Sequence, residues 1–299
     1  MIVVFGSINL DLAARVTVMP RPGETLHGEA FAMSPGGKGA NQALAARRAG
    51  AAVALVGAVG RDAFAAPALA HLRAAGVNLD GVASVHQPTG VAMIHVDSTG
   101  ENAITIVAGA NAQASAAAVT DAMLAAASSV VMQLEIPVAA VAAVARRARA
   151  AGVRVIVNAA PALRLDAALL ADIDVLVVNE HEAATLAVAL DLSGDPARFV
   201  DGMAGRFGGT VIVTRGARGL VAASGAVRVA LAAPRVDAVD TVGAGDAFVG
   251  ALAAALDRQA PLLDALKEGL AAGSLACTRP GAQAALPDRA AIVALAATI

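Results

Sequence analysis

An α/β fold with a mostly parallel sheet between two layers of helices is what this sequence predicts, and three observations predict it. Nearly continuous apolar runs rich in Val and Ile recur along the chain, alanine-rich helical stretches separate them, and polar residues gather where the runs end. Strands apolar at almost every position are buried on both faces, as in a parallel sheet covered by crossover helices. At 299 residues the chain can bury a full core as one domain over 1–299.

In chain order, the first strand is IVVFG (2–6). Residues 12–34 then alternate with period two and carry turn residues, as an antiparallel hairpin does. The glycine cluster GGKGANQA (36–43) leads into the helical segment LAARRAGA and the strand VALVGAV (53–59). Residues 88–107 repeat the period-two alternation. Four more strands follow: SVVMQL (129–134), VRVIVNAA (153–160), DVLVVNE (174–180) and GTVIVTRG (209–216). Alanine, the best helix former, accounts for the stretches between them. In such sheets ligands gather beyond the carboxyl ends of strands, and Glu135, Asn158, Asn179, Glu180 and Thr214 all stand at such ends.

Composition removes several functions. A net charge of −2 gives no electrostatic footprint for nucleic acid, and six Phe with no Trp or Tyr leave few platforms for stacking bases. Polar breaks interrupt every apolar run before the length of a membrane span. No basic region precedes the first strand, so no signal peptide is expected. The lone Cys277 forms no internal disulfide and suits a reducing cytoplasm; it reads as a small buried residue. The five histidines lack metal-ligand spacing.

Two glycine clusters carry the chemistry. In DTVGAGDAFVGALAAAL (240–256) a Gly243-Ala244-Gly245 turn runs into Asp246 and an apolar helix. Glycines expose backbone N–H groups, and a helix start adds unpaired donors and partial positive charge, which together make an anion site. On the residues alone, Asp246 is either a capping carboxylate or a base that takes a hydroxyl proton while the amides hold developing charge. Its place at a helix start is expected to keep it ionised. The other cluster is no P-loop, because Gly39 rather than Ser or Thr follows Lys38. Nor do further glycines follow the first strand as in a dinucleotide fingerprint. What remains is a close-approach loop bearing a cation, Lys38, and an amide, Asn41, suited to a small polyhydroxyl ligand.

The chain resembles the ribokinase-like carbohydrate kinases. The resemblance runs in family order through GSINLD (6–11), MPRPGET (19–25), GGKGANQA (36–43), AGAN (108–111) and QLEIP (133–137). It continues through VNEHEA (178–183), TRGARG (214–219), DTVGAGD (240–246) and TRPGAQ (278–283). It implies a three-layer α/β/α fold with residues 12–34 and 88–107 as a small β lid over the sugar, and a homodimer through that lid. It also implies phosphoryl transfer from ATP to a sugar hydroxyl, D-ribose first. Other furanose-like sugars, a nucleoside, or a non-catalytic sensor on the same fold are the alternatives. Asp246 would be the base, with Gly243, Ala244 and Gly245 forming the anion hole. Asn9, Asp11, Gly37, Lys38, Gly39, Asn41 and Glu135 would hold the sugar. Asn179, Thr214, Gly216, Ala217, Arg218, Gly219 and Gly245 would hold the nucleotide, with Arg218 on phosphate. Mg2+ would be held by Glu182, largely through water with Asn179. A monovalent cation, K+, would sit among Asp240, Val242, Ala276, Arg279 and Gly281. Two departures stand out: Ala285 replaces a common hydroxyl ligand of that cation, and Leu270 replaces a polar Asn near the adenine of the nucleotide.

Overall fold

The computed structural model of the protein describes all residues, 1–299. Its thirteen strands are β1 (Ile2–Phe5), β2 (Asn9–Arg15), β3 (Ala30–Gly36), β4 (Val53–Gly60), β5 (Asn78–Val85), β6 (Gly90–Val96) and β7 (Asn102–Val107), then β8 (Ser129–Met132), β9 (Arg154–Asn158), β10 (Val175–Asn179), β11 (Thr210–Thr214), β12 (Leu220–Ser224) and β13 (Val227–Leu231). Nine of them form one sheet in the order β13-β12-β11-β10-β9-β8-β1-β4-β5. Every neighbour from β11 to β5 is parallel, and β12 and β13 close one edge antiparallel.

Period-two geometry divides the core into two layers. Ile2 and Val4 pack on one face of β1, Val3 and Phe5 on the other; Val177 and Ile212 share the first layer, Val178 and Val213 the second. Alternate side chains of a strand point to opposite faces, so a strand apolar throughout feeds both layers.

All six predicted strands of this sheet are present. Three others were hidden in the sequence. β5 is an edge strand with only intermediate and exposed residues, and NLDGVASV lacks an apolar run. β12, LVAAS, looks helical because of its alanines, and β13 is another half-exposed edge.

The period-two regions form a separate sheet of order β3-β2-β6-β7. β2–β3 and β6–β7 are antiparallel as expected, whereas β2 and β6 join the two pairs in parallel. The strands extend beyond the predicted lid boundaries, from Asn9 to Gly36, so Asn9 and Asp11 lie on the lid sheet itself.

Two helices position the site. Helix Lys38–Arg48 packs along helix Ala244–Asp257, and the contact is made possible at Gly250. A Cβ there would lie 2.4 Å from Ala45 Cβ and 2.7 Å from the Ala46 nitrogen, so no larger residue permits this approach. The approach sets Asn41 and Gln42 of one helix against Asp246 in the first turn of the other.

Candidate active site

Gly243 takes the left-handed conformation, φ 77°, as the N-cap of helix Ala244–Asp257. No side chain caps the amides of that first turn. Asp246 is therefore not the cap. Its carboxylate lies 7% exposed and accepts Asn41 Nδ2–H at 2.9 Å and Gln42 Nε2–H at 2.9 Å. The helix start is not the only influence on its ionisation. Burial raises its pKa above the usual carboxylate range, and this outweighs the lowering by Lys38 and the two amides.

A cluster of acids surrounds Lys38. Glu135, just beyond β8, accepts the Ser7 hydroxyl at 2.6 Å and the Lys38 backbone N–H at 3.2 Å, and its other oxygen is 3.8 Å from Lys38 Nζ. Burial alone would lower the pKa of the Lys38 ammonium, but Asp246, Glu135, Glu182 and Asp11 together hold it above its ordinary value. Asp11 is raised to about 6, chiefly by burial and then by the negative charges of Glu135 and Asp246. Asn9 is fixed by Asn111, whose Nδ2–H donates to Asn9 Oδ1 at 2.7 Å while its Oδ1 accepts the Ile8 N–H. Thus Asn9, Asp11, Lys38, Asn41, Glu135 and Asp246 are brought into one neighbourhood, with Gly37 and Gly39 at the start of the lysine's helix.

A cavity of about 980 Å3 opens beside this cluster. Asn179, Thr214, Gly216, Ala217, Gly219, Ala244 and Gly245 line it, as does Leu270. Arg218 does not line it. The guanidinium is exposed and binds both carboxylate oxygens of Glu180 at 2.6–2.7 Å, which removes it from the expected phosphate contact in this state. Sequence reasoning also missed the segment 233–238, Phe248 and Ser274 on the cavity wall, for which the chain carries no recognisable signal. Cys277 lines the cavity half-buried rather than packing as a core residue, and burial with Asp240 nearby raises its thiol pKa.

Asn179 and Glu182 form a capping box. Asn179 Oδ1 accepts the Glu182 N–H and Glu182 Oε2 accepts the Asn179 N–H, each at 2.8 Å. Burial raises the Glu182 pKa against this hydrogen bond. Asp240 accepts the Val242 N–H at 3.0 Å and the Gly281 N–H at 2.8 Å, lacing the Gly243 turn to the TRPGAQ segment. No three His, Cys, Asp or Glu residues lie close enough together to hold a metal unaided.

A family model of the pfkB family carbohydrate kinases matches residues 1–289. Over 304 aligned residues the chain is 40% identical to a ribokinase of Schizosaccharomyces pombe, covering 96% of this chain and 95% of that one. Among solved structures, a ribokinase from Thermotoga maritima superposes with a TM-score of 0.92 at 31% identity, covering 98% of both chains. Arabidopsis thaliana ribokinase complexed with ribose and ATP superposes at 0.91, also at 31% identity, covering 99% of this chain and 98% of that one.

Proposed function

The chain belongs to the pfkB family of carbohydrate kinases, and from that membership we propose that it transfers the terminal phosphoryl group of ATP to D-ribose, giving D-ribose 5-phosphate and ADP. One observation carries the reading. Ala244 and Gly245 line the large cavity, while the next residue, Asp246, turns into the acid and amide cluster. A single helical turn thus separates room for a nucleotide from groups that bind hydroxyls.

In this reading Asp246 accepts the sugar hydroxyl proton as the new O–P bond forms and the bond to the ADP oxygen breaks. The amides of Ala244 and Gly245 donate toward the charge on the transferring group. A carboxylate whose pKa is raised by burial is a better base than an ordinary one. Asp11, Glu135, Asn9, Asn41 and Lys38 orient the sugar, since carboxylates and amides can each engage paired hydroxyls. The cavity residues Asn179, Thr214, Gly216, Ala217 and Gly219 hold the nucleotide. Arg218 reaches phosphate only by leaving Glu180.

Magnesium, which would supply charge neutralisation on the phosphates, would be held by Glu182 through Oε1, which the capping box leaves free, with Asn179 and water completing the contact. Asp240 keeps unshared lone pairs beyond its two N–H bonds, and these suit a monovalent cation with carbonyls near Val242, Ala276, Arg279 and Gly281. The exposed apolar residues of the lid support a homodimer through that sheet.

The test is ADP release by the purified protein with ribose, deoxyribose, fructose and adenosine. The highest kcat/KM is expected with ribose. Adenosine as the best acceptor would overturn the ribose assignment.

A further inference from the structure

Asp246 is held by two relays of buried carboxamides that converge on its two oxygens. In one, Gln133 Nε2–H donates to Gln42 Oε1 at 2.6 Å, and Gln42 Nε2–H donates to Asp246 Oδ1 and to Asn158 Oδ1. In the other, Gln283 Nε2–H donates to Asn41 Oδ1 at 3.1 Å, and Asn41 Nδ2–H donates to Asp246 Oδ2. Gln42 and Gln133 are 0% exposed and Gln283 is 1% exposed. They come from three distant parts of the chain.

The carboxylate and the outer amide together set the polarity of each relay. A carboxamide turned over would press its carbonyl against a carboxylate, and an outer N–H donated to the inner carbonyl prevents that turn. With Gln133 donating to Gln42 Oε1, the Gln42 amide keeps its N–H groups on Asp246 Oδ1 and Asn158 Oδ1. Gln283 imposes the same sense on Asn41.

The outer residues serve this arrangement at a cost in stability. Both Gln133 Oε1 and Gln283 Oε1 are buried without any partner. The Gln133 carbonyl also stands where a Cβ on Gly6 would come within 2.0 Å, so the chain keeps a glycine beside it. Burying an acceptor unpaired is unfavourable, and an apolar residue of similar volume would fill either position without that penalty.

We propose that Gln133 and Gln283 are positioning residues of the phosphoryl transfer, acting through Gln42 and Asn41 to hold the Asp246 carboxylate with its remaining lone pairs toward the sugar hydroxyl. The proposal rests on Asp246 being the base. Each relay donates one hydrogen bond to the charged form of a buried carboxylate, so loss of either favours the protonated form. The other charged groups facing Asp246 are Lys38 on its helix, Glu135 beyond β8, Asp11 on β2 and Glu182 beyond β10. None of them changes in the variants below.

The experiment is the pH dependence of kcat at saturating ribose and ATP for Gln133→Met, Gln283→Met and Gln42→Met. Loss of a hydrogen bond to a carboxylate is expected to move the acid limb up by about one pH unit in Gln42→Met. The outer variants should move it in the same direction by less, with the KM for ATP within about twofold of the parent. Should Gln42→Met not fold, the two outer variants carry the test, because neither touches Asp246. An acid limb at its original pH in folded variants, with only kcat or thermal stability reduced, would overturn the relays and leave the base in place. Near-normal turnover in Asp246→Asn would remove the base itself and the relays with it.

Discussion

In the proposed reading, Asp11 sets sugar binding against stability within one residue. Its carboxyl titrates near 6 in the folded protein against 3.8 for the free group, so the native state binds a proton more tightly than the unfolded chain does. Stability from this group is therefore fully present below about 3.8 and is lost as the pH rises through about 6. Asp11→Asn is expected to raise the thermal midpoint at pH 8, with a gain on the order of 1–3 kcal/mol, and to change it little at pH 4. The same variant should raise the KM for ribose more than that for ATP. Calorimetry at the two pH values and steady-state kinetics check both. Asp246→Asn is expected to fold and bind sugar but to lose at least about 10²–10⁴ in turnover, the usual range for lost acid–base catalysis. That Asp246 stands at the mouth of an anion site was legible from a carboxylate following a glycine turn; its role as base comes from the family resemblance. Its raised pKa was not legible, because burial depends on what packs over the turn.

At the level of elements, the site depends on how closely helix Lys38–Arg48 approaches helix Ala244–Asp257. Gly250→Ala places a methyl group 2.4 Å from Ala45 Cβ, and overpacking of this kind costs about 1–3 kcal/mol. Because the same contact sets Asn41 and Gln42 against Asp246, kcat should fall along with stability. Urea unfolding and kinetics on one preparation test this; a variant that loses stability at unchanged kcat would show that the helices re-form the site after moving apart. The turn ahead of the second helix is tied by Asp240 to Gly281. A monovalent cation at Asp240 is expected to stiffen the turn and raise kcat, potassium before sodium. Buried Ala285 offers no hydroxyl there, so the effect should need millimolar salt. Rates against potassium chloride, with choline chloride holding ionic strength constant, measure it. A flat response would show that the Asp240 bonds alone order the turn.

For the whole molecule, the lid sheet leaves large apolar residues in solvent, among them Phe31, Met33, Met93, Ile104 and Ile106. The register Asp11–Ala92–Ile106 puts Ile106, and with it Ile104, on the same face as Asp11. A second copy covering that face would bury the isoleucines and shield the sugar at once. Sedimentation should show a dimer that Ile104→Glu converts to monomer with a raised KM for ribose; a parent protein already monomeric at assay concentration would exclude the lid as an interface. No helix is long and apolar enough to cross a membrane.

What the sequence determined by itself was the alternation of strand and helix, the six central strands and the two glycine clusters. Each is written in neighbouring residues: apolar period, turn chemistry, and a carboxylate or lysine beside glycine. It also placed Asn179 and Thr214 at strand ends, where a parallel sheet gathers its ligands. Tertiary structure alone decided the rest. The edge strands β5 and β13, and β12 between β13 and β11, exist because neighbours offer hydrogen bonds, not because their residues demand them. Arg218 pairs with Glu180 across 38 residues rather than standing free. Gln42, Gln133 and Gln283 look like ordinary polar residues until folding buries them around one carboxylate. Their function lies in long-range geometry and desolvation, and neither quantity is a property of a local stretch of chain.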